Sequence, residues 1–341
     1  MPTVPSTPAE IIAQLPSSFA KAKDSGDVLF FPSTVHKHSE FGVEWEITLC
    51  PALQNKPPLP IPHFDAAADA KLANGGKKFD PFAPPYVPNL HIGELKDEQE
   101  GDEYVILFNK FSVVPQHILL VTKEFHSQTS PLLPPDLVQT YRLIAAAREA
   151  GKKFFAFYNC GDNSGASQPH KHLQLIPTIE DGPPIEKLAR KTPIETLDRP
   201  FSLQSLPYAN HVRRLPTHLP TVSLEEQEPI LSRAFLSLLD LALSTYRRDP
   251  ASDDQKHNIT LSYNVILTLE HMHIIPRKAE THTLAETGEN LSINAMGFAG
   301  CLLVKSEREF EAVVKESVGT ILENVGCKSI HEQQCEGACS M

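Results

Sequence analysis

The chain has 341 residues, which is enough to bury a full core as one large domain or as two smaller ones. Its 31 basic and 42 acidic residues leave a net charge of −11, which argues against nucleic acid as a partner, because proteins that bind a phosphate backbone usually carry a basic face. The sequence shows no apolar run of about 18 residues and no secretory signal, so we predict no membrane span and a location in the cytoplasm or nucleus.

The N-terminal third is predicted to contain one helix and three strands. A capping-box pattern at Thr7, with proline at the first helical position, begins the helix, and Pro16 is expected to interrupt it early. Strands are predicted over 43–49, 104–109 and 117–122, because β-branched and aromatic residues are concentrated there.

The middle of the chain is predicted to hold a helix, two strands and a polar loop between the strands. The helix begins at Pro135 and is closed by Gly151. The strands cover 153–159 and 170–176, and the glycine- and serine-rich run 161–169 joins them. Small residues in that run let the backbone approach a ligand closely, and consecutive N–H groups can bind an anion.

The C-terminal part follows a proline-rich stretch at 183–220, which we expect to be a connection made of ordered loops. Five more elements are predicted beyond it: a helix from Ser223 to before Pro250, strands over 259–268, 271–276 and 298–304, and a helix from Ser306. Strands and helices alternate irregularly along the chain, which favours an α+β fold over a doubly wound parallel sheet.

The most informative motif is the His-x-His-x-Gln run at 170–174, directly after the glycine-rich loop. Because strand side chains alternate, His170, His172 and Gln174 project from one face and Lys171 and Leu173 from the other. Two imidazoles and a carboxamide beside free backbone N–H groups are typical of a phosphate-chemistry site.

The central histidine of this motif is the predicted nucleophile. Histidine titrates near pH 6.5, so a neutral imidazole is available at cellular pH, and attack on an α-phosphoryl group would give a nucleotidyl-histidine. His172 has His170 and Gln174 on either side of it, and a carboxamide at position 174 can hydrogen-bond but cannot shuttle a proton. The site is therefore better suited to an anionic acceptor, which favours transfer or phosphorolysis over hydrolysis.

A second pair, His271 and His273, follows a segment without a glycine-rich loop. Each pair comes after a strand with a Tyr-Asn sequence, at 158–159 and 263–264, which suggests two related halves. The second pair is then either a structural remnant of the repeat or half of a metal site. The C-terminal Cys327, His331, Cys335 and Cys339 lack the spacing of a usual zinc module, and we expect a partly disordered tail there.

These motifs resemble the histidine-triad superfamily and, within it, the fungal-type ATP adenylyltransferases, also called diadenosine tetraphosphate phosphorylases. The resemblance covers most of the chain and is carried by the segments 52–57, 80–85, 107–115, 158–161, 165–168, 170–174, 262–265, 275–277, 293–300 and 302–305. It implies a histidine-triad-like α+β fold of two related halves, each with an antiparallel sheet flanked by helices. The implied division is a catalytic half at 1–190, a proline-rich connection at 191–222 and a C-terminal ATP-adenylyltransferase half at 223–341.

The resemblance also implies an activity and its site. The enzyme would convert diadenosine tetraphosphate and phosphate reversibly into ATP and ADP, with His172 as the adenylylated nucleophile beside His170 and Gln174. Phosphate and nucleotide contacts are implied for Lys56, Asn109, Lys110, Asn159, Gly165, Ala166, Ser167, Gln168, Gln174, Asn294, Ala295, Met296, Cys301 and Lys305. A divalent cation, by default Mg²⁺, would accompany the substrate phosphates, with no organic cofactor and no metal held by the protein.

Two other interpretations remain open. A hexose-1-phosphate uridylyltransferase shares the histidine nucleophile and the glutamine, and the intact pair His271 and His273 keeps a metal-bearing relative open. Residues 294–296 and Cys301 differ from the residue types expected of the adenylyltransferases, which leaves open whether their side chains contact the nucleotide. A nucleotide-binding regulator with a decayed site is the non-enzymatic alternative. The sequence leaves the oligomeric state open, and a monomer is compatible with it.

Overall fold

The computed structural model describes residues 5–55, 80–194, 196–248 and 261–329. The helices of these residues are α1 (Pro8–Asp24), α2 (Pro134–Glu149), α3 (Pro184–Lys191), α4 (Leu224–Arg248), α5 (Ala295–Ala299), α6 (Glu307–Glu316) and α7 (Val318–Val325). The strands are β1 (Leu29–Phe30), β2 (Thr34–Glu40), β3 (Val43–Leu49), β4 (His91–Lys96), β5 (Glu103–Phe108), β6 (Phe111–Ser112), β7 (Ile118–Thr122), β8 (Phe154–Cys160), β9 (His172–Pro177), β10 (His211–Arg214), β11 (Ser262–Leu267), β12 (His271–Arg277), β13 (Thr281–Thr283), β14 (Asn290–Ser292) and β15 (Cys301–Val304).

One sheet of eight strands, in the order β10-β12-β11-β8-β9-β7-β5-β4, organises the molecule. Every neighbouring pair in it is antiparallel. A smaller sheet, β15-β3-β2, joins β3 to the C-terminal β15 in parallel. The predicted α+β class with an antiparallel sheet is confirmed.

The two faces of the large sheet bury different cores. On one face Leu173 and Leu175 of β9 pack in the cluster that includes Leu15 of α1, Tyr141 of α2 and Leu238 of α4. The opposite face buries a second cluster, which the smaller sheet and α3, α5, α6 and α7 complete, and whose large members include Trp45, Phe155, Phe157, Ile176 and Phe298. Alternation along β9 therefore places its histidine and glutamine on the second face, as predicted.

The first helix is longer than the sequence predicted, because Pro16 does not end it. α1 has the expected capping box, in which Thr7 accepts from the N–H of Glu10. A proline inside a helix leaves the carbonyl four residues earlier without its donor, here that of Ile12. The Lys152 Nζ donates to this oxygen at 2.9 Å, which replaces the missing bond. The expectation of an early end at Pro16 was wrong.

The segment 298–304 was predicted as a strand and is only partly one. Asn294 caps a short helix by accepting from the N–H of Met296 at 2.9 Å, so Phe298 and Ala299 belong to α5 and the strand begins at Cys301. Local capping overrides the apolar strand pattern there.

The proline-rich stretch holds regular elements that the sequence did not predict. α3 begins directly at its first prolines, which suit the first turn of a helix. β10 lies within 191–222 and pairs with β12 at the edge of the large sheet. β2 and β4 were also missed, because both lie at sheet edges and polar residues occupy six of the seven positions of β2 and three of the six of β4. In the part of the chain that the structure describes, no helix is both long and apolar enough to cross a membrane.

Candidate active site

The glycine-rich loop between β8 and β9 packs against the segment that precedes α5. Gly165 has a φ of +77°, and a Cβ there would lie 2.6 Å from the main-chain oxygen of Ile293 and 2.8 Å from the Cβ of Asn294. No other residue fits this backbone at this distance. The contact brings the predicted phosphate loop next to the predicted nucleotide contacts of the C-terminal part.

The loop offers unpaired backbone donors. Among the described residues, the N–H groups of Gly165, Ala166, Ser167 and Gln168 make no hydrogen bond, and neither do the side chains of Ser167 and Gln168. These four residues are half-buried or exposed and lead directly into the histidine strand. Consecutive free N–H groups at one loop can bind phosphate oxygens.

His172 presents one free ring nitrogen. Its Nδ1 lies 2.8 Å from the main-chain oxygen of His170, which only accepts, so Nδ1 carries the hydrogen and Nε2 keeps its lone pair. The side chain is 3% exposed, and burial lowers the pKa of His172 to about 4, so the ring is neutral near pH 7. The Phe82 ring packs on it with ring centroids 5.0 Å apart. His172 is thus in the protonation state that a nucleophile requires.

His170 has no free ring nitrogen. Its Nδ1 lies 2.8 Å from Asp80 Oδ2, and its Nε2 lies 2.7 Å from the main-chain oxygen of Thr122. Both neighbours accept hydrogen bonds, so both ring nitrogens of His170 are engaged. The electrostatic effect of His170 lowers the pKa of His172 further, after burial, and the engaged nitrogens distinguish His170 from His172.

Gln128, which lies in the segment between β7 and α2, is hydrogen-bonded to the first residue of β9, the strand that carries the nucleophile. The ladder between β8 and β9 ends at the pair Phe157 and Gln174. Beyond it, the Gln128 Oε1 accepts from the N–H of His172 at 2.8 Å, and its Nε2 donates to the main-chain oxygen of Asn159 at 2.8 Å. The buried amide therefore provides hydrogen-bond partners for main-chain groups of both strands at the point where β8 and β9 stop pairing with each other.

Gln174 is hydrogen-bonded to a third histidine. Its Oε1 lies 2.9 Å from His117 Nε2, and His117 Nδ1 lies 3.1 Å from Asn109 Nδ2. The predicted phosphate contact Asn109 thus lies behind Gln174 and is joined to it through His117.

Asn159 and Asn264 face each other across the central pair β8 and β11. The Asn159 Oδ1 accepts from Asn264 Nδ2 at 2.8 Å and from the N–H of Ala295 at 3.0 Å. Both asparagines are buried. The structure therefore brings together two of the predicted nucleotide contacts, Asn159 and Ala295, and uses the asparagine to hold the start of α5.

Arg277 links the loop to the same junction. Its Nη1 donates to Asn264 Oδ1 at 2.5 Å and to the main-chain oxygen of Ser164 at 3.3 Å. Its Nη2 donates to the main-chain oxygen of Ile293 at 2.8 Å. The side chain is fully buried, and because its acceptors are neutral, burial lowers the pKa of Arg277.

A cleft of about 910 Å³ opens on the second face of the sheet, beyond the histidine strand. Met296 and Cys301 line it. Phe155 of β8 and Ile176 of β9, which lie farther from His172 on the same face, also line it. Burial raises the pKa of the Cys301 thiol, whose Sγ lies 3.9 Å from Glu46 Oε2. The thiol is therefore a neutral lining group and not an anion.

Of the three predicted lysines, the structure describes Lys110 and Lys305 and shows neither in contact with the histidines. Lys56 lies outside the described residues. Lys110 and Lys305 are exposed, and within the described ranges neither forms a hydrogen bond or ion pair from its ammonium group with β9. The Lys110 Nζ lies 5.9 Å from the centroid of the Phe111 ring.

The second histidine pair lies on β12 around a buried carboxylate. His271 Nδ1 is 2.8 Å from Glu186 Oε1, and its Nε2 accepts from Arg214 Nε at 3.1 Å, so both ring nitrogens are engaged. His273 Nε2 is 3.6 Å from Glu186 Oε2. Burial raises the pKa of Glu186, but the hydrogen bond from His271 and the electrostatic effect of the two histidines outweigh this and lower it to about 2. No nucleophilic nitrogen like that of His172 is present on His271.

This cluster has the composition of a metal site. Ligand atoms of Glu186, Glu270 and His271 lie within 4.8 Å of one another. Arg190 forms an ion pair with Glu270 at 2.7 Å and already brings a positive charge to it. The sequence predicts no metal held by the protein, and this stays a prediction. Of the four spaced residues of the C-terminus, Cys327 is buried in the core and the other three lie outside the described ranges.

Sequence reasoning assigned no role to Asp80, His117, Gln128 or Arg277. Asp80 and Arg277 lie in segments that carry the family resemblance, so a signal for them existed. His117 and Gln128 are single polar residues beside β7, and nothing in their neighbourhood distinguishes them from ordinary turn residues.

Comparison with known proteins identifies the family. The family model of the Ap4A phosphorylase N-terminal domain matches residues 2–199, and that of the ATP adenylyltransferase C-terminal domain matches residues 204–328. Diadenosine tetraphosphate (Ap4A) phosphorylase 2 of Saccharomyces cerevisiae is 31% identical over 310 residues, which cover 87% of this chain and 88% of that protein. The crystal structure of yeast Ap4A phosphorylase Apa2 in complex with AMP matches with a TM-score of 0.73 at 26% identity, over 95% of this chain and 98% of that one. The complex of Apa2 with Ap4A gives 0.72 at 26% identity, with the same coverage. The chain therefore belongs to the Ap4A phosphorylase family.

Proposed function

We propose that the chain catalyses the reversible phosphorolysis of Ap4A to ATP and ADP through an adenylyl group carried on His172. The observation that supports this most directly is the bond from His172 Nδ1–H to the main-chain oxygen of His170, which leaves Nε2 unprotonated. The substrate class rests on the relatives, which are named Ap4A phosphorylases, and on the crystal structures of yeast Ap4A phosphorylase Apa2 with Ap4A and with AMP.

The reaction has two displacements at the same phosphorus atom. In the first, His172 Nε2 attacks the α-phosphorus of one adenylyl group, a P–N bond forms, and the bridging P–O bond breaks to release ATP. In the second, an oxygen of inorganic phosphate attacks the adenylyl phosphorus, the P–N bond breaks, and ADP leaves. Splitting the transfer in this way makes two easier steps from one difficult one.

The hydrogen bond on Nδ1 serves both displacements. When Nε2 becomes bonded to phosphorus, positive charge develops on the His172 ring, and the main-chain oxygen of His170 stabilises it through Nδ1–H. The free N–H groups of residues 165–168 are proposed to bind the phosphoryl oxygens as their charge increases. Neither displacement requires a proton from position 174, because ATP leaves as an anion and phosphate attacks as one.

The nucleoside contacts are proposed for the cleft. Met296 and Cys301 line it as neutral groups beside Phe155, and such surfaces suit an adenine ring. Asn294 and Ala295 connect this cleft with the phosphate loop. Lys56, Lys110 and Lys305 remain proposed partners of the outer phosphates, and Mg²⁺ is proposed to arrive with those phosphates.

We also propose that 1–190 and 223–341 are related, histidine-triad-like halves, joined by 191–222. The support is the register at the centre of the sheet, where Asn159 pairs directly with Asn264. These are the asparagines of the two Tyr-Asn sequences, so an approximate twofold axis would pass between β8 and β11. The β9 and β12 strands, which carry the two His-x-His pairs, then lie symmetrically on either side.

The test is the phosphate dependence of the products. Purified protein incubated with Ap4A and Mg²⁺ is expected to form ATP and ADP only when inorganic phosphate is present, and His172→Ala is expected to form neither. Formation of AMP without phosphate would refute phosphorolysis. Turnover of a UDP-sugar in place of Ap4A would favour the uridylyltransferase interpretation, and no turnover of either would favour the regulator.

A further inference from the structure

The amide of Gln174 has two different ends, and only one of them can bind a phosphoryl group. Its NH₂ donates two hydrogen bonds, whereas its oxygen only accepts. Phosphoryl oxygens are acceptors, so the NH₂ must point towards them, and an amide turned round would place oxygen against oxygen. The orientation of this side chain therefore matters for any role of Gln174 at the phosphorus.

A chain of hydrogen bonds starting from the backbone fixes this orientation. The N–H of Phe111, which can only donate, lies 3.2 Å from Asn109 Oδ1. This leaves the Asn109 Nδ2 to donate to His117 Nδ1 at 3.1 Å, so His117 Nδ1 accepts and its hydrogen is on Nε2. His117 Nε2–H then donates to Gln174 Oε1 at 2.9 Å, which turns the Gln174 NH₂ away from His117.

We propose that Asn109 and His117 are positioning residues, which hold the Gln174 amide with its NH₂ towards the phosphoryl group under transfer. The proposal rests on the proposed function, because it requires Gln174 to contact that group. It also changes the role of Asn109, which would act through His117 and would not touch the polyphosphate itself.

The surroundings of His117 keep the chain of hydrogen bonds from Asn109 through His117 to Gln174, here called the relay, in one state. Burial lowers the pKa of His117 to about 4, so the ring stays neutral and its two nitrogens keep different roles at cellular pH. The titratable group that acts on it is His172 of β9, whose charge would lower the pKa further. From β8 the uncharged ring of Phe157 faces it, with centroids 6.4 Å apart.

The first test compares two substitutions of His117. His117→Leu removes both hydrogen bonds and is expected to lower kcat for phosphorolysis about 10- to 100-fold, at or below the loss that follows complete removal of one oriented donor at a transition state. His117→Gln carries an acceptor and a donor at similar positions and is expected to recover most of kcat. KM for Ap4A should change by less than about threefold in both, since the contact strengthens in the transition state.

The second test asks whether His117 acts through Gln174. Gln174→Ala is expected to lower kcat about 100-fold. Adding His117→Leu to it should cause no further loss, because there is no longer an amide to orient. If the two losses multiply in the double variant, His117 has another role and the proposal is wrong.

The third test uses pH. Asn109→Asp places a carboxylate beside His117 Nδ1, which draws the hydrogen onto Nδ1 and raises the pKa of His117. Below that new pKa the imidazolium still donates from Nε2 to Gln174 Oε1. Above it Nε2 becomes an acceptor and the amide turns round, so kcat of Asn109→Asp is expected to fall as pH rises, in a step that the unsubstituted protein lacks.

The outcomes separate the two proposals. If the unsubstituted protein phosphorolyses Ap4A and Gln174→Ala does not, while the His117 and Asn109 variants match the unsubstituted protein, the relay is refuted and the proposed function stands. If the unsubstituted protein gives no ATP and ADP with phosphate present, the proposed function is refuted and the relay with it. Thermal unfolding of each variant checks that a lost activity is not a lost fold.

Discussion

The histidine strand is anchored from behind by a buried ion pair, and we predict that breaking it strongly destabilises the fold. Lys171 lies between the two histidines, directly before β9, and its Nζ donates to Asp136 Oδ2 at 2.5 Å and to the main-chain oxygen of Pro131 at 2.9 Å. Both charged side chains are at most 2% exposed. Lys171→Met would leave the Asp136 carboxylate buried without its cation.

The structure sets the size of the effect. Removing one partner of a buried ion pair costs about 3–5 kcal/mol of unfolding free energy. Asp136 would keep two neutral donors, the Tyr104 hydroxyl at 2.8 Å and the N–H of Leu133 at 2.8 Å, so we expect about 3 kcal/mol, at the lower end. The matched control is Lys171→Met with Asp136→Asn, which removes the unpaired charge; the amide oxygen can accept from the N–H of Leu133 while the NH₂ donates to the Tyr104 hydroxyl. It should be more stable than Lys171→Met alone by about 1–2 kcal/mol.

The assay is urea unfolding, followed by circular dichroism, at one pH for all variants. The transition midpoint should fall in Lys171→Met and recover partly in the double variant, with similar slopes. A loss below about 1 kcal/mol in the single variant, or no recovery in the double variant, would refute the claim that this pair carries an essential buried charge.

Three further predictions concern the site. Because burial lowers the pKa of His172 to about 4, the nucleophile is neutral above that value. The rate of adenylylation should therefore stay level from about pH 8 to 5.5 and fall only as the pH drops towards 4. A midpoint near pH 6.5 in a single-turnover pH profile would contradict this. Gly165→Ala should lower kcat/KM for Ap4A about tenfold or more, because the new Cβ would lie 2.6 Å from a main-chain oxygen. The control is Gly288→Ala, which has a similar positive φ and no atom within 4 Å of the new Cβ, and it should leave kcat/KM unchanged. Arg277→Met should raise KM for Ap4A and lower the unfolding free energy by about 2–4 kcal/mol, because Asn264 and five main-chain oxygens lose a buried donor. Equal KM values by steady-state kinetics would show that this link does not shape the nucleotide site.

The local features of the site could be predicted from the sequence, because they depend on strand alternation. The run 170–174 predicted which side chains share a face, and Leu173 and Leu175 are indeed in the opposite core. The partners that set protonation states could not be predicted in this way. Asp80 is 90 positions from His170 in the chain, and His117 is 57 positions from Gln174. Only the order of strands in the folded sheet brings them together.

The same limit explains the errors in the fold. Pro16 does not end α1, because Lys152, which is 140 positions from Ile12 in the chain, supplies the missing donor. β10 is short and lies among prolines, and it becomes a strand because β12 offers it an unpaired edge. Both depend on tertiary contacts that no local pattern contains.

The central claim is that Nε2 of His172 carries the adenylyl group, and trapping that group tests it most directly. The protein is mixed with Ap4A in the absence of phosphate, quenched and mapped by peptide mass spectrometry. We predict one adenylyl group on His172, which is acid-labile, is released as ADP when phosphate is added, and does not form in His172→Ala. Adenylylation of His170 or of another residue, or turnover by His172→Ala, would contradict the account.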